Sequence, residues 1–286
     1  MEERNERGQT LQEFLDAYDE NLYRRPSNTV DIVLLTVSAN KLKVLLVKRK
    51  DHPFIHDWAM PGGFINFDED METAVTRELA EETSISSDTY FTQLYTFGNA
   101  DRDPRTRIIT TVYLSMTPEN NIRNTCAADD AADAGWFTIS KKIVSSDEKA
   151  RKSILSLDEE NLGIHMEYFV NDIACRNYVD TKSQRLDSSN AKLAADHIKA
   201  LNMAMDQMQH RVASSGILFN LLPAECTLRE IQNAYEAVIG HKVDTANFRR
   251  DIRKMLVPVG KKKKTSGKMA ELFRFNPMYT YLEGDL

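Results

Sequence analysis

Cysteine is scarce: there are three in 286 residues, at Cys126, Cys175 and Cys226, far apart and in no metal-ligand spacing. That argues against a disulfide framework or a cysteine zinc site and fits a reducing, cytoplasmic compartment. Long apolar runs are also missing. None approaches the roughly 18 residues that a membrane-spanning helix needs, so no membrane partner is expected. The opening MEERNERGQT has no apolar core, so no secretory leader is expected either. Disorder is excluded by what is present, 42% hydrophobic and 28% charged residues, the proportions of a folded globular protein. The length suits two domains.

The formal net charge of −6 hides an asymmetry. Between Gly240 and Arg274 stand eleven Lys/Arg against three Asp/Glu, a local +8, which leaves −14 for the remainder. An acidic body with a basic C-terminal module suggests two jobs, although a basic cluster taken alone is as consistent with a solvated surface as with nucleic acid.

Along the chain, TLQEFLDAYDENLY places Leu11, Phe14, Leu15, Tyr18 and Leu22 at helical spacing. VDIVLLTV and KVLLVKRK are strand-like and joined across Ser38–Leu42 as a hairpin. YFTQLYTFG, RIITTVYLSM and AGWFTI are further strand candidates around a helix from about Asp70, a mixed α/β pattern. Residues 144–190 read as a charged, loop-like insertion in which only GIHMEYFV alternates as a strand. Asn190 is placed to cap a long helix over 190–212. Its apolar residues Ala194, Ile198, Leu201, Met205, Met208 and Val212 step by four and three in a heptad seam, fit for a partner helix or for its own domain. The expected division is 1–212 for the first domain and 213–286 for the second.

The second domain has a sharper pattern. Thr227 and Glu230 form a T-x-x-E capping box before a helix with Leu228, Ile231, Tyr235 and Val238 on one face, and Gly240 ends it. DTANFRRDIRKML gives a second helix with Phe248, Ile252, Met255 and Leu256 on one side and Arg249, Arg250, Arg253 and Lys254 on the other. VPVGKKKKTSGKMAELFRF reads as a hairpin with Lys261, Lys262, Lys263 and Lys264 at its tip. Helix, turn, helix and basic hairpin is the order of a winged helix-turn-helix, which would present Asn247, Arg249, Arg250, Arg253 and the four lysines to double-stranded DNA.

In the first domain, PGGFINFDEDMETAVTRELAEETSI crowds carboxylates beside a double glycine. At 100° per residue, Met71, Ala74, Val75 and Leu79 fall on the inward face, and Glu78, Glu81 and Glu82 continue that stripe. Three partly buried carboxylates in one turn repel one another and raise one another's pKa, unless a divalent cation sits among them. Oxygen-only ligands favour Mg²⁺ or Mn²⁺. Arg77 at the edge of the face can lock a carboxylate by a bidentate pair. Gly62 and Gly63 let the backbone come close to an ion or a phosphate.

Gly63, Glu69, Arg77, Glu78, Leu79, Glu81, Glu82 and Ile85 match G-x5-E-x7-R-E-U-x-E-E-x-G-U, with U apolar, and the segment resembles the Nudix box with Ser84 where that family has Gly. HPFIHDWAMPGGFI and FGNADRDPRTR resemble the subgroup acting on ADP-ribose and similar dinucleotide fragments, and ADH, LFNLLP, TLREIQNAYEAVIG and NFRRDI resemble the Nudix-related transcriptional regulators called NrtR. The resemblance implies an α/β fold, a Nudix α/β/α sandwich with mixed sheet, plus a C-terminal winged helix-turn-helix domain. It implies a homodimer that binds operators of NAD-metabolism genes and takes ADP-ribose or a related nucleotide diphosphate.

In that frame Glu78, Glu81 and Glu82 hold the metal with the Gly63 backbone nearby, and Arg77 either orients them or makes a structural salt bridge. Arg49, Arg102 and Arg105 are candidates for phosphate or ribose, with DRDPR alternatively a salt-bridged turn. Phe64 is a candidate stacking platform, whereas Trp58 suits the core. Three readings follow: an ADP-ribose-sensing regulator, a working ADP-ribose pyrophosphatase whose C-terminal module serves association, and a regulator of the same build that senses a sugar. The basic module favours a regulator; the nearly intact box favours a diphosphate ligand and leaves hydrolysis open.

Overall fold

Alternation along the strands decides the layering. The structure, a computed structural model, describes residues 2–83, 89–122, 134–265 and 267–279, so Ser84, Ile85 and Cys126 lie outside the described residues. A short helix α1 (Leu11–Asp16) precedes β1 (Ser27–Ser38) and β2 (Lys41–Lys48). These two strands form the expected hairpin, turned by Ala39 and Asn40 at φ 51° and 60°. Positive φ at both turn residues matches the right-handed twist of the strands it joins. Next come β3 (Trp58–Ala59), β4 (Gly62–Phe64), α2 (Met71–Thr83), β5 (Tyr90–Phe97), β6 (Ile108–Met116) and a short α3 (Glu119–Ile122). Four strands follow, β7 (Ala134–Ser146), β8 (Ala150–Glu159), β9 (Ile164–Ala174) and β10 (Val179–Arg185), then α4 (His197–Arg211).

The main sheet runs β10-β9-β8-β7-β2-β1-β6-β5, with β3 added to β2 and β4 to β1. β1 and β6 are parallel and the other pairs antiparallel, so the sheet is mixed. On β1, Val30, Ile32 and Leu34 pack with Ala74, Val75 and Leu79 of α2. The alternate residues Val33 and Leu35 join Ile198, Leu201 and Met205 of α4 on the opposite side. This is the expected α/β/α sandwich, produced by the period-2 side-chain alternation of the strands.

The C-terminal part is built from β11 (Cys226–Thr227), α5 (Leu228–Ile239), α6 (Thr245–Ile252), β12 (Leu256–Lys264) and β13 (Met269–Phe275), with a three-stranded sheet in the order β11-β13-β12. Thr227 and Glu230 make both bonds of the capping box, and Gly240 takes the left-handed φ of 78° that ends α5. Ile231, Ala234 and Val238 of α5 share one core with α4 and the main sheet. No helix among the described residues is long and apolar enough to cross a membrane.

Three expectations are corrected and one open reading is decided. Residues 144–190 are not loop-like: they extend the sheet through β7 to β10. The alternation there is masked because Ser153, Glu159 and Asp172 occupy buried positions where an apolar residue would show the period. Asn190 does not cap α4. It bonds to the backbone of His165 and Gly163, and the helix begins seven residues later with Asp196 at its N-cap. Of the two readings of the heptad seam, packing on its own domain holds: Ala194, Ile198, Leu201, Met205, Met208 and Val212 are all buried within this chain. Finally, α6 ends at Ile252 and Arg253 lies in a 3-10 turn, while Lys261–Lys264 lie along β12 and not at the hairpin tip.

Candidate functional site

α2 brings the acidic residues to β4. Ala74, Val75, Glu78 and Leu79 are buried as the helical periodicity requires, but Met71 is 41% exposed, and Glu81 and Glu82 at the helix end are exposed. The inward stripe therefore holds one glutamate, Glu78, 6% exposed, and not three. Arg77 organises the rest. Its guanidinium donates to Glu69 through Nε (2.8 Å) and Nη2 (2.9 Å), to Glu78 (2.7 Å) and Glu81 (3.2 Å) through Nη1, and to the Phe64 carbonyl (3.1 Å). That fork holds the Glu69 carboxyl down at about 2 and raises the Arg77 pKa further.

The double glycine is required by contact. A Cβ on Gly63 would stand 2.2 Å from Glu78 Oε1, and one on Gly62 would stand 2.3 Å from the Val30 carbonyl, at a φ of 155°. Gly62 N–H donates to Glu82 (3.2 Å). Glu82 is exposed as a residue, yet its carboxyl end is crowded by protein and by the Glu78, Asp31 and Glu81 carboxylates; desolvation first and these charges second push it up to about 7. Unrelieved negative charge on hard oxygen donors is the chemistry a divalent cation fits. Among the described residues, however, no three His, Cys, Asp or Glu side chains are gathered at metal-ligating distance, because Arg77 holds Glu78 and Glu81.

Beside this helix opens a cavity of about 230 Å³, lined by Thr29, Asp31, Arg49, Phe54, Met60, Gly62, Gly63, Phe64, Arg102, Asp103, Arg105, Ile108, Ala194, Ala195 and His197. Every candidate ligand residue read from the sequence, Arg49, Gly62, Gly63, Phe64, Arg102 and Arg105, meets there. Arg49 donates to the Pro53 carbonyl (2.8 Å), Arg105 pairs with Asp103 (2.9 Å), and the Arg105 guanidinium lies 5.7 Å from the Phe64 ring centre. The Arg102 side chain is 8% exposed and forks onto Asp196 (2.8 and 3.2 Å). The DRDPR turn is thus both salt-bridged and part of the pocket wall. Trp58 is in the core against Phe137, as expected.

The sequence pattern assigns no role to Asp31, Asp196 or His197. Asp31 accepts from the Thr110 hydroxyl (2.6 Å) at the pocket floor. His197 accepts the Met60 N–H at Nδ1 (2.9 Å), and burial keeps it neutral by lowering its pKa. The signal for these residues lies in pairings across 79, 94 and 137 positions, which no local pattern carries.

The basic module keeps its cations outside. Phe248 and Ile252 bury one side of α6, and Asp244 caps it by accepting the Asn247 N–H (2.8 Å), so that Asn247, Arg249 and Arg250 are exposed on the other side. On β12, Lys261 and Lys263 pair with Glu225 (2.9 Å) and Glu230 (2.7 Å). Lys262 and Lys264 alternate to the opposite side. Arg250 pairs with Asp251 (3.0 Å), whereas Arg249, Arg253, Lys262 and Lys264 have no ion pair among the described residues.

Two family models match the chain, the NUDIX domain over residues 26–155 and the NrtR DNA-binding winged helix domain over 218–275. An ADPR responsive transcriptional repressor, NtrR, of Acinetobacter baylyi is 28% identical across 92% of this chain and 88% of that protein. An ADP-ribose pyrophosphatase of Methanocaldococcus jannaschii is 33% identical across 47% of this chain and 76% of its own length. Among solved structures, a MutT/nudix family protein from Enterococcus faecalis superposes with a TM-score of 0.72 at 28% identity, covering 95% of each chain. Shewanella oneidensis NrtR in complex with a 27mer DNA superposes with a TM-score of 0.61 at 28% identity, covering 88% of this chain and 95% of that one. The sandwich with its Nudix-box helix and the winged helix packed on it place this chain in the Nudix family, in its NrtR-like branch.

Proposed function

We propose that this protein is an ADP-ribose-responsive transcriptional repressor of the NrtR type, acting in the cytoplasm. It divides near residue 212 into a nucleotide-sensing part and a DNA-binding part. The observation that carries the reading is the pairing, in one chain, of an arginine-lined pocket at Gly62–Gly63 with a winged helix whose Arg249, Arg253, Lys262 and Lys264 carry no ion pair among the described residues. In the pocket, Arg49, Arg102 and Arg105 supply forked donors for a diphosphate, and Phe64 offers a face for a base or ribose. Asn247, Arg249, Arg250 and Arg253 reach bases and phosphates of duplex DNA, and the wing lysines hold phosphates. One module per chain favours a homodimer on a palindromic site, because two weak half-site contacts multiply through effective concentration.

A second reading has its own support. Glu69, Arg77, Glu78, Glu81 and Glu82 stand together, and the archaeal relative is named as a pyrophosphatase. Glu78, Glu81 and Glu82, with the Gly63 backbone, are the residues that would hold Mg²⁺ or Mn²⁺. The ion would neutralise the diphosphate and lower the pKa of bound water. Water adding to one phosphorus of ADP-ribose while the bridging P–O bond breaks yields AMP and ribose 5-phosphate. A regulator with this activity erases its own signal.

The test is a time-resolved mobility shift on genomic DNA fragments with ADP-ribose and Mg²⁺, with AMP followed in the same tube. Release of DNA without AMP identifies a pure sensor, and release followed by AMP and rebinding a self-limiting one. AMP without any DNA affinity at low salt contradicts the repressor.

A further inference from the structure

α4 begins in the wall of the ligand pocket and ends in the core of the DNA-binding module. The segment leading into α4 and its first residue are tied to β3 and the residue after it, just before the double glycine: Trp58 N–H donates to the Lys192 carbonyl (3.0 Å), Ala194 N–H to the Trp58 carbonyl (2.8 Å), and Met60 N–H to His197. Ala194, Ala195 and His197 line the pocket. At the other end, Met208 and Val212 share a core with Ile231, Ala234 and Val238 of α5, and the Gln209 side chain donates to the Val238 carbonyl (3.4 Å). Between the two ends the helix is pinned to the sheet by Lys141 on Asp206 (2.6 Å) and by Asn202 on Asp172 (3.0 Å). α5 in turn carries α6, through the Tyr235–Phe248 ring contact and the Gln232–Thr245 bond.

The residue at the N-cap of this helix behaves unusually. Asp is among the best N-cap residues, because its carboxylate accepts the free N–H groups of the first turn. Asp196 holds that position but makes no side-chain cap bond. Both its oxygens accept instead from Arg102, at 2.8 and 3.2 Å. The residue before it, Ala195, sits at φ 44°, a left-handed conformation that side chains other than Gly, Asn and Asp rarely adopt. Asp196 therefore has two mutually exclusive partners, the guanidinium in the pocket wall and the first turn of α4.

We propose that Asp196 is a positioning residue that couples the pocket to the DNA-binding module. It holds Arg102 by the two hydrogen bonds of this structure, and it moves onto the N-terminus of α4 when a ligand phosphate takes Arg102 over. A phosphate competes for the same forked donors as a carboxylate. Once released, Asp196 caps the helix, the first turn resettles, and the pin at Asn202 and Asp206 lets the tilt reach Met208 and α5. Because coupling is reciprocal, the state with Asp196 on Arg102 is the one that favours DNA, and the ligand favours the other. This rests on the ADP-ribose reading of the pocket.

Asp196→Ser separates the two partners, since serine caps a helix but cannot neutralise Arg102. The full-length protein and this variant are compared by calorimetry with ADP-ribose and by mobility shift on the genomic fragment that the wild type binds. The variant is expected to bind ADP-ribose more tightly. Its DNA affinity without ligand should resemble that of the ligand-loaded wild type, and the response to ADP-ribose should shrink from the 5–150-fold usual for allosteric coupling to less than about twofold. Asp196→Glu, which keeps the ion pair but is a poor N-cap, is expected to keep the DNA affinity of the ligand-free protein and to respond less to ADP-ribose than the wild type. If the serine variant does not unfold cooperatively, Asp196→Asn takes its place with the same expectation. A wild type that responds to ADP-ribose and a variant that responds equally overturn the coupling role alone. A wild type that binds DNA but shows no calorimetric binding of ADP-ribose overturns the ligand reading, and the coupling with it.

Discussion

Around the glycine loop the arginines are held by acceptors of the fold: Arg77 by Glu69, Glu78 and Glu81, Arg102 by Asp196, Arg105 by Asp103 and Arg49 by the Pro53 carbonyl. On the winged helix Arg250, Lys261 and Lys263 are paired at the surface, but Arg249, Arg253, Lys262 and Lys264 have no ion pair among the described residues. The difference follows from what each surface must read. A small diphosphate is recognised by forked donors fixed in advance, and fixing them requires carboxylates. A DNA backbone is recognised by displacing its counterions, which needs charge more than geometry. The pocket is therefore expected to be sensitive to single atoms and the module to ionic strength.

The largest effect is expected at the most confined atom of the pocket. Gly62→Ala forces a Cβ to 2.3 Å from the Val30 backbone at a φ that alanine avoids. It should cost about 3 kcal/mol in urea unfolding. Gly63→Ala meets only the movable Glu78 carboxylate and should cost less stability, while weakening ADP-ribose binding more than DNA binding. Equal losses for the two glycines would break the assignment of Gly63 to the ligand side.

On the module, replacing Lys262 and Lys264 together by Gln should lower the slope of log affinity against log salt by about two units, roughly 0.9 for each phosphate that is no longer neutralised. The same change at Lys261 and Lys263, which Glu225 and Glu230 already hold, should move the slope by clearly less. Salt titration of the two double variants distinguishes the faces of the wing.

A smaller effect concerns pH. The Glu82 carboxyl titrates near 7 in the fold against an ordinary value of 4.5. Between these values the folded chain binds more protons than the unfolded one, so this group's contribution to stability falls as pH rises from about 4.5 to about 7 and is level above that. A divalent cation reverses the penalty. The rise in melting temperature on adding Mg²⁺ should therefore be larger at pH 8 than at pH 6, and an equal rise at both would contradict a role for Glu82 in holding the ion.

Much of this was legible because it is local. The capping box at Thr227 and Glu230, the stop at Gly240, the β1–β2 hairpin and the Nudix-box spacing are all patterns of one continuous stretch of chain, where sequence spacing fixes geometry. The start of α4 misleads because Asn190, a good cap by type, is held by His165 and Gly163 on a strand 25 residues earlier. The seam of α4 shows only that one face is apolar; whether a partner or its own sheet covers it depends on the tertiary fold. The same limit applied to Glu81 and Glu82, which share the angular sector of Glu78 but stand exposed in the last turn of α2, and to Arg102 and Asp196, which meet only after the sheet and helix have packed.

Occupancy of the pocket is expected to change the grip of the winged helix on DNA. Fluorescence anisotropy of a labelled operator fragment, titrated with the protein at fixed salt with and without saturating ADP-ribose, reads that change. The expected result is a 5–150-fold weaker affinity with the nucleotide present. An unchanged affinity, with ADP-ribose binding verified on the same sample by calorimetry, would contradict it.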